Sequence, residues 1–357
     1  MRPIDVGGRQ IGPGAPCFIA AEMGLSHNGD VSLAHRMIDA AADVGVDGVK
    51  FQTYRTDDFV SDRSLTYEYV SAAGTVVETQ YELFTRCELP SSAWTDLHAH
   101  CRDRGVVFFS TPTGFDTLER LVGLDVPLLK NGSDFLLHLP LIQAMARTGR
   151  PTILSTGMAT LSEIEDAVAA FRQEGGRELV LLHCTSSYPT APQDIHLRKI
   201  ATLANHFECP TGFSDHSDGI LAAIGAVAVG SCLIEKHFTL DRRLPGPDHR
   251  FSADPNQMRA LVNDVRSLEQ ALGAAEIGPV RSELEGRQDF RLSCVAARDL
   301  GRGTVLSDRD IAFHRPGGGI PPGHLDEIIG RRVRVALPLG TVLQSDHLEP
   351  RALVALP

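Results

Sequence analysis

Short apolar segments alternate with longer amphipathic segments from residue 17 to about residue 272. The short segments are typical of buried strands, and the longer ones repeat apolar residues at the spacing of an α-helix. One such helix is predicted to start at a capping box formed by Ser162 and Glu165 and to end at Gly175. The predicted strands are CFIAAE (17–22), GVKFQ (48–52), VVFFS (106–110), PLLK (127–130), PTILST (151–156), ELVLLHC (178–184), CPTGFS (209–214) and SCLIEKH (231–237).

Eight strands separated by helices predict a parallel (β/α)8 barrel, the TIM-barrel fold, for residues 1–275. A doubly wound parallel sheet is the alternative. The connection at 53–90 is much longer than the others. Because loops that follow barrel strands lie at the catalytic end, we expect this insertion to cover a substrate.

The pattern changes after residue 275 to short β-like segments rich in Gly and Pro. Two segments, GRGTVLSDRDI (301–311) and PLGTVLQSDHL (338–348), share Gly-Thr-Val-Leu followed by Ser-Asp. This repeat predicts a small, internally pseudo-symmetric β-rich domain at 290–357. The polar segment 276–289 is predicted to be the linker.

Composition and charge narrow the class of protein. The 357 residues are 43% hydrophobic and carry a formal net charge of -11, which argues against a nucleic acid or an anionic membrane as partner. The seven cysteines form no C-x-x-C pair, so reduced, packed thiols are expected. The amino terminus lacks the apolar core of a signal peptide, and no segment has membrane-spanning length. These features predict a soluble, cytoplasmic protein.

The predicted strands end in polar side chains, where a barrel places its chemistry. Lys50 and Lys130, together with several hydroxyls, suit a phosphate and a carboxylate on one small ligand. The alternative is that these lysines pair with Glu22 or Glu235. His216 and His237 follow neighbouring strands and so are candidates to share a divalent cation, although their spacing is not a zinc signature. The polar strand ends are Glu22, Lys50 and Gln52, Ser110 and Thr111, Lys130, Ser155 and Thr156, His183 and Thr185, Ser214 and His216, and Glu235 to His237.

The sequence around these strand ends resembles a known family. In order, the segments are similar to the motifs of sialic acid synthases and their relatives, including the legionaminic and pseudaminic acid synthases. The resemblance spans nearly the whole chain, and its C-terminal part resembles the family's antifreeze-like (SAF) domain. The segments are AEMGLSHNGD, VKFQT, STPT, LKNGS, ILSTGM, LLHCTSSYPT, GFSDHS, EKHFTLDRRLPGPDH and RPGGGI.

The resemblance implies a reaction and a metal. The family condenses phosphoenolpyruvate with a sugar aldehyde, typically an N-acetylhexosamine, to give a nine-carbon 2-keto-3-deoxy acid and phosphate. It uses a divalent cation, usually Mn²⁺, with Mg²⁺ or Co²⁺ as further candidates. Two histidines hold this cation, and they match His216 and His237. We therefore also expect Glu235 and Lys236 to line the same rim.

The resemblance also implies residue roles and an assembly. In the family, the SAF domain of one chain contributes an arginine, here Arg315, to the barrel of its partner, which implies a domain-swapped homodimer. Residues implied in catalysis are Glu22, Lys50, Lys130, Asp134 and Arg315. Residues implied in phosphoenolpyruvate binding are Lys50, Thr111, Lys130, Ser133, Ser155, Ser186 and Ser214. Residues implied in binding the acceptor sugar are Gln52, Tyr188, Asp248 and Arg315.

The sequence departs from the family pattern on the acceptor side. Phe135 stands where the family usually has a glutamate, and Asp134 lies one position early. Thr113 stands where the family has a phenylalanine, and the covering-loop asparagine of many members is absent from 71–75. Because a lost hydrogen bond changes specificity by a large factor, N-acetylmannosamine is not expected to be the preferred acceptor. The alternative functions are a pyruvate-releasing aldolase and a non-catalytic barrel that binds a sugar or phosphate.

Overall fold

The structure, a computed structural model, describes residues 2–71 and 74–350. Ala72 and Ala73, on which the predicted loss of the covering-loop asparagine partly rests, lie outside the described residues. Contacts divide the chain into two compact units, Met1–Gly273 and Ala274–Pro357. The boundary predicted from the sequence, at 275, falls close to this division.

The described residues form short strands and helices. The strands are β1 (Ile4–Val6), β2 (Arg9–Ile11), β3 (Phe18–Glu22), β4 (Gly48–Thr53), β5 (Thr66–Ser71), β6 (Gly74–Thr79), β7 (Val107–Pro112), β8 (Leu129–Asn131), β9 (Thr152–Ser155), β10 (Leu179–Cys184), β11 (Thr211–Asp215), β12 (Leu233–His237), β13 (Ser293–Ala296) and β14 (Ile311–His314). The α-helices are α1 (Val31–Asp43), α2 (Thr56–Phe59), α3 (Gln80–Cys87), α4 (Ala93–Asp103), α5 (Phe115–Gly123), α6 (Leu139–Arg147), α7 (Leu161–Gln173), α8 (Pro192–Ile195), α9 (Lys199–Phe207), α10 (Leu221–Ala228), α11 (Pro255–Leu272), α12 (Leu284–Asp289) and α13 (Leu325–Ile328).

A closed parallel barrel forms the first unit, in the strand order β3-β4-β7-β8-β9-β10-β11-β12. All eight predicted strands are present, so the barrel prediction is confirmed and the doubly wound sheet is wrong. Strand register brings the two ends of the barrel sequence together: Glu22 on β3 lies opposite His237 on β12 and opposite Lys50 on β4.

The interior of the barrel is apolar at one end and polar at the other. Side chains alternate along each strand, so Phe18 and Ala20 point into the barrel while Ile19 packs against the helices. The interior cluster at the amino-terminal end also contains Val6 and Ile11 from the β1–β2 hairpin. This hairpin, which was not predicted, therefore forms an apolar floor, and the polar cavity lies at the carboxyl ends of the strands.

The capping box of α7 differs from the prediction. Thr160, not Ser162, caps the helix: Glu163 N–H donates to Thr160 Oγ1 at 3.4 Å, and Thr160 N–H donates to Glu163 Oε2 at 2.7 Å. Glu165 instead contacts His206 of α9, 2.8 Å away. The predicted pair was wrong by two residues, because Thr160 and Glu163 offer the same spacing earlier in the chain.

The long insertion folds on itself over the carboxyl end of the barrel. It contains α2, the β5–β6 hairpin and α3, and its aromatic rings form a cluster. The ring centroids of Tyr54 and Phe59 lie 5.6 Å apart, and those of Phe59 and Phe84 lie 4.9 Å apart. Phe135, from the turn after β8, adds its ring at 6.4 Å from Phe59. Aromatic packing therefore ties the insertion to this turn.

Equivalent positions of the two predicted repeats in the second unit have similar local geometry. Leu300 and Leu337 hold equivalent positions just before the two repeats and exchange two backbone hydrogen bonds, both 2.8 Å long. Gly303 and Gly340, equivalent in the two repeats, both adopt positive φ angles, 86° and 81°. The segment predicted as the linker, 276–289, contains a 3-10 turn at Arg281–Glu283 followed by α12. None of the described helices combines the length and apolar character needed to cross a membrane.

Candidate active site

A cavity of about 510 Å³ opens at the carboxyl ends of the barrel strands. Its wall is built by polar strand ends on one side and by the insertion on the other. Arg315 belongs to the second unit and is exposed there, with its guanidinium 5.3 Å from the Phe290 ring centroid. The predicted residues that line the cavity are Glu22, Lys50, Gln52, Thr111, Lys130, Ser133, Asp134, Ser155, Ser186, Tyr188, Ser214, His216, His237 and Asp248.

Two buried lysines stand at the bottom of this cavity. Lys50 Nζ lies 2.8 Å from Glu22 Oε2, and Lys130 Nζ lies 3.6 Å from Glu235 Oε2. Lys130 also donates a hydrogen bond to Ser155 Oγ at 2.8 Å. The carboxylate partners considered in the sequence analysis are thus present, and they hold the ammonium groups in fixed positions next to the open space.

Electrostatics keep Lys50 charged. Burial alone would lower its pKa, but the carboxylates of Glu22 and Glu235 raise the pKa above its usual value. For Glu235, burial alone would raise the pKa, yet Lys130 and Lys50 hold it below its usual value. Ser214 supports the ionised form by donating a hydrogen bond to Glu235 Oε1 at 2.7 Å. The cavity floor therefore holds a protonated Lys50 close to an ionised Glu235 at neutral pH.

Buried hydroxyl groups near the lysines lack partners. Within the described part of the chain, Thr111 Oγ1 and Ser186 Oγ make no hydrogen bond, although both atoms are buried. Such groups are normally paired, so a ligand that accepts hydrogen bonds fits here. Gly157 allows this arrangement: its N–H donates to Ser133 Oγ at 3.0 Å, and a Cβ at this position would lie 2.4 Å from Ser186 Oγ.

The two predicted metal ligands lie next to each other at the ends of the adjacent strands β11 and β12. The ring centroids of His216 and His237 lie 5.4 Å apart. Nδ1 of His216 lies 2.8 Å from the carbonyl oxygen of Thr185, and Nδ1 of His237 lies 3.5 Å from Asp248 Oδ2. Each Nδ1 thus has an oxygen nearby, as in many metal-binding imidazoles, but only that of His216 is within hydrogen-bond distance, and Nε2 of His216 also lies 3.3 Å from Ser214 Oγ.

The ionisation of His216 also fits metal binding. Burial and the neighbouring His237 lower the pKa of His216 to about 3, so its ring is neutral at physiological pH. No group of three or more His, Cys, Asp and Glu side chains arranged for a metal is found among residues 2–71 and 74–350. The donors present thus fit a cation held by two protein ligands, with coordination positions left for oxygen atoms of water or substrate.

The opposite wall of the cavity is rich in aromatic and apolar groups that the sequence analysis did not name. Phe135 lies in this wall, and the neighbouring Asp134 also faces the cavity. Burial raises the pKa of Asp134, although its side chain is open to the cavity. Aromatic residues within a predicted substrate-covering insertion were a usable signal for this wall. The additional lining residues are Leu25, Tyr54, Phe59, Tyr67, Gln80, Leu83, Phe84, Met158 and Cys184.

Lys236 does not line the rim, contrary to the expectation from the sequence. Glu235 and His237 face the cavity, but Lys236 points to the outer side of the strand and is fully buried against Asp215. The reason is the two-residue alternation of a strand, which sends the middle residue of the three to the opposite face.

The chain matches known protein families over both of its units. The sequence profile of the NeuB family matches residues 37–277, and that of the SAF domain matches residues 293–349. The N,N'-diacetyllegionaminic acid synthase of Legionella pneumophila is 40% identical over 344 residues, which cover 95% of this chain and 96% of that protein. The pseudaminic acid synthase of Campylobacter jejuni is 32% identical over 328 residues, 92% of this chain and 95% of that protein.

A solved structure shows the same likeness. The N-acetylneuraminic acid synthetase of Leptospira borgpetersenii is 36% identical and superposes with a TM-score of 0.72, covering 80% of this chain and 95% of that one.

Proposed function

Because the chain belongs to the NeuB family and carries a SAF domain, we propose that it condenses phosphoenolpyruvate with a sugar aldehyde and water to give a nonulosonic-type 2-keto-3-deoxy acid and phosphate. The observation that carries this proposal is one cavity that combines two buried lysines with two neighbouring histidines. The first pair suits a small polyanion and the second a divalent cation.

Phosphoenolpyruvate binds at the buried end of the cavity. Lys50 and Lys130 neutralise its phosphate and carboxylate, and the unpartnered hydroxyls of Thr111 and Ser186 donate to its oxygens. Ser133, Ser155 and Ser214 complete this polyanion site. The fixed lysine positions reduce the entropy lost on binding.

His216 and His237 hold the divalent cation, for which Mn²⁺ is the first candidate. A cation bound there supplies Lewis-acid polarisation of the aldehyde oxygen. Thr185 and Asp248 orient the two imidazoles, and burial keeps His216 in the neutral form that ligates metals.

The reaction forms one carbon–carbon bond and breaks one carbon–oxygen bond. C3 of phosphoenolpyruvate attacks the aldehyde carbon, water adds its oxygen at C2, and phosphate leaves with the C2–O bond broken, which yields the ketone. The former aldehyde oxygen takes a proton, and the second proton from water leaves on phosphate. Asp134, whose pKa burial raises, and Glu22, whose pKa burial also raises, are the candidate proton carriers beside the reacting atoms.

The acceptor sugar carries an apolar substituent in this proposal. Phe135 and Phe59 present carbon surface where a carboxylate of the family pattern would meet a hydroxyl of the sugar. An acceptor with a hydroxyl at that position leaves this group unpaired. An acceptor that has a deoxy carbon there, or an acyl group in addition to the single acetamido group of N-acetylmannosamine, packs against the rings. N-acetylmannosamine is therefore not the preferred acceptor.

The enzyme works as a homodimer in which Arg315 of one chain completes the cavity of the other. Arg315 is exposed on the second unit and free to contact a ligand there as a bidentate donor. The seven unpaired cysteines suit a reducing compartment such as the cytoplasm. An aldolase that forms a Schiff base is disfavoured, because Lys50 is held protonated and is a poor nucleophile.

Phosphate release tests the proposal directly. Purified protein is mixed with phosphoenolpyruvate, a panel of sugar aldehydes and Mn²⁺, and phosphate and product masses are recorded. Release is expected only when all three are present, and His216→Ala or His237→Ala is expected to reduce it by at least about a hundredfold with circular dichroism unchanged. Full activity in excess chelator contradicts the metal part. Pyruvate release from the 2-keto-3-deoxy acid, supplied in place of the two substrates, points to an aldolase.

A further inference from the structure

A buried ion pair lies on the outer face of the barrel, directly behind the two histidines. Asp215 on β11 and Lys236 on β12 lie opposite each other in the strand register, and neither side chain is exposed to solvent. Side chains alternate along strands, so the inward neighbours are Ser214 and Glu235, which line the cavity, and the ion pair points toward the helices.

A closed set of contacts joins this pair to the chain on both sides of His216. Lys236 Nζ lies 2.9 Å from Asp215 Oδ2 and donates to the carbonyl oxygen of Ser217 at 2.5 Å. Asp215 Oδ1 accepts from Ser217 N–H at 2.8 Å and from Ser217 Oγ at 2.6 Å. The network therefore fixes the backbone on either side of His216 and the strand end that carries His237.

Desolvating the two charges costs free energy, so fold stability by itself does not explain why this pair is buried. The other outward positions on these strand ends, Phe213, Ile234 and Phe238, are apolar and belong to the core between strands and helices. A buried ion pair in such a place often stabilises a fold less than apolar side chains of the same volume would. Because the pair adjoins both histidines, a role in fixing the geometry of the two imidazole rings accounts for its presence.

We propose that Asp215 and Lys236 are positioning residues that set the separation and ring orientation of His216 and His237. They touch neither substrate nor metal and act through the backbone of the two strand ends. As a statement about metal binding this rests on the proposed function, but the effect on the two imidazoles does not require a metal.

The test replaces the pair by apolar groups of similar volume, Asp215→Leu with Lys236→Met. The double variant is expected to keep or raise the melting temperature. Its Mn²⁺ affinity, measured by calorimetry, is expected to fall about 10- to 100-fold, as for other outer partners of metal ligands. In the metal-free protein, the NMR signals of the His216 and His237 rings are expected to shift or broaden.

A matched control lies at the other end of the barrel. Arg266 on α11 contacts Asp47 Oδ2 at 2.7 Å, remote from the cavity-lining residues. Arg266→Met is expected to lower the melting temperature while leaving Mn²⁺ affinity and both imidazole signals unchanged. If the apolar double variant does not fold, Asp215→Asn, which keeps the shape of the side chain, takes its place. The same direction is expected for Mn²⁺ affinity and the imidazole signals, but the melting temperature is expected to fall because Lys236 loses its buried partner.

The outcomes separate the two proposals. A folded variant with unchanged imidazole signals and unchanged Mn²⁺ affinity overturns the positioning role and leaves the proposed reaction standing. Wild-type protein that binds no divalent metal defeats the metal part of the proposed function, and the imidazole signals of the metal-free variants then decide the positioning role by themselves.

Discussion

Under the proposed function, single side chains are expected to set which acceptor the cavity binds. All residues that the family resemblance implies in phosphoenolpyruvate binding line the cavity. Phe135, in the aromatic wall, stands where the family usually has a glutamate. Its ring packs 6.4 Å from Phe59, centroid to centroid, so it both removes a carboxylate and extends the aromatic surface of the insertion. Substitution at this position should therefore change specificity and leave phosphoenolpyruvate binding intact.

Phe135→Glu tests this at the residue scale. The new carboxylate offers a hydrogen-bond acceptor to a sugar hydroxyl, so the kcat/KM ratio of N-acetylmannosamine to a deoxy or further acylated sugar aldehyde is expected to rise at least about tenfold. The KM for phosphoenolpyruvate is expected to stay within about twofold. Phe115→Glu, at an exposed position outside the cavity lining, serves as the control. An unchanged ratio means that Phe135 does not meet the acceptor.

At the scale of elements, much of the architecture was predictable because apolar segments and polar strand ends are visible in the sequence. The predicted strand 231–237 became β12, Leu233–His237. The β1–β2 hairpin was missed because strands of three residues give too little periodicity to detect. The direction of Lys236 required the register with β11, which a single sequence does not contain.

One side of the candidate site could be predicted from the sequence in more detail than the other. Lys50, Lys130, His216 and His237 were identified because ionisable groups at the ends of apolar strands stand out. The only sequence signal for the aromatic wall was the set of aromatic residues in the insertion. Which of them face the cavity could not be predicted, because an insertion has no period that assigns its side chains to a face.

An element-scale prediction concerns the 3-10 turn Asp308–Asp310 in the second unit. Asp310 is 2% exposed; its Oδ1 accepts from Arg298 Nε at 2.8 Å and its Oδ2 from Ser307 N–H at 2.9 Å. Burial alone would raise its pKa, but Ser307 and Arg298 hold the pKa below its usual value. The resulting stabilisation is thus complete above the pKa of the unfolded state, about 4, and is lost as the pH falls through the lower folded-state pKa.

Asp310→Asn is accordingly expected to destabilise this turn by about 1 kcal/mol at pH 7 and to lose most of that effect only as the pH falls through the lowered folded-state pKa of Asp310. Amide hydrogen exchange at 293–314 in the full chain measures it. Asp308→Asn, at an exposed position in the same turn, is the control. Equal exchange in the two variants at pH 7 contradicts the role of Asp310.

At the scale of the whole molecule, the proposed dimer allows two different inactive variants to form one complete cavity together. A chain with Arg315→Ala retains its histidines, and a chain with His237→Ala retains its arginine. Random mixing of the two gives hybrids with one intact cavity in about half of the dimers, so roughly a quarter of wild-type activity is expected to return. Light scattering should show a dimer, and a mixture that stays inactive although hybrids form rules out the shared site.

The apolar floor of the barrel has a kinetic consequence. Because Val6, Ile11 and their neighbours block entry from the amino-terminal end, ligands enter from the carboxyl end of the barrel, where Tyr188 is 46% exposed, to reach Lys130, which is 2% exposed. Phosphoenolpyruvate, which is proposed to bind deeper in the cavity, is therefore expected to bind before the acceptor in a compulsory order. An unreactive acceptor analogue is expected to inhibit uncompetitively against phosphoenolpyruvate, because it binds only to enzyme that already holds phosphoenolpyruvate. Initial-rate patterns measure this, and noncompetitive inhibition would mean that the cavity admits the two substrates in either sequence.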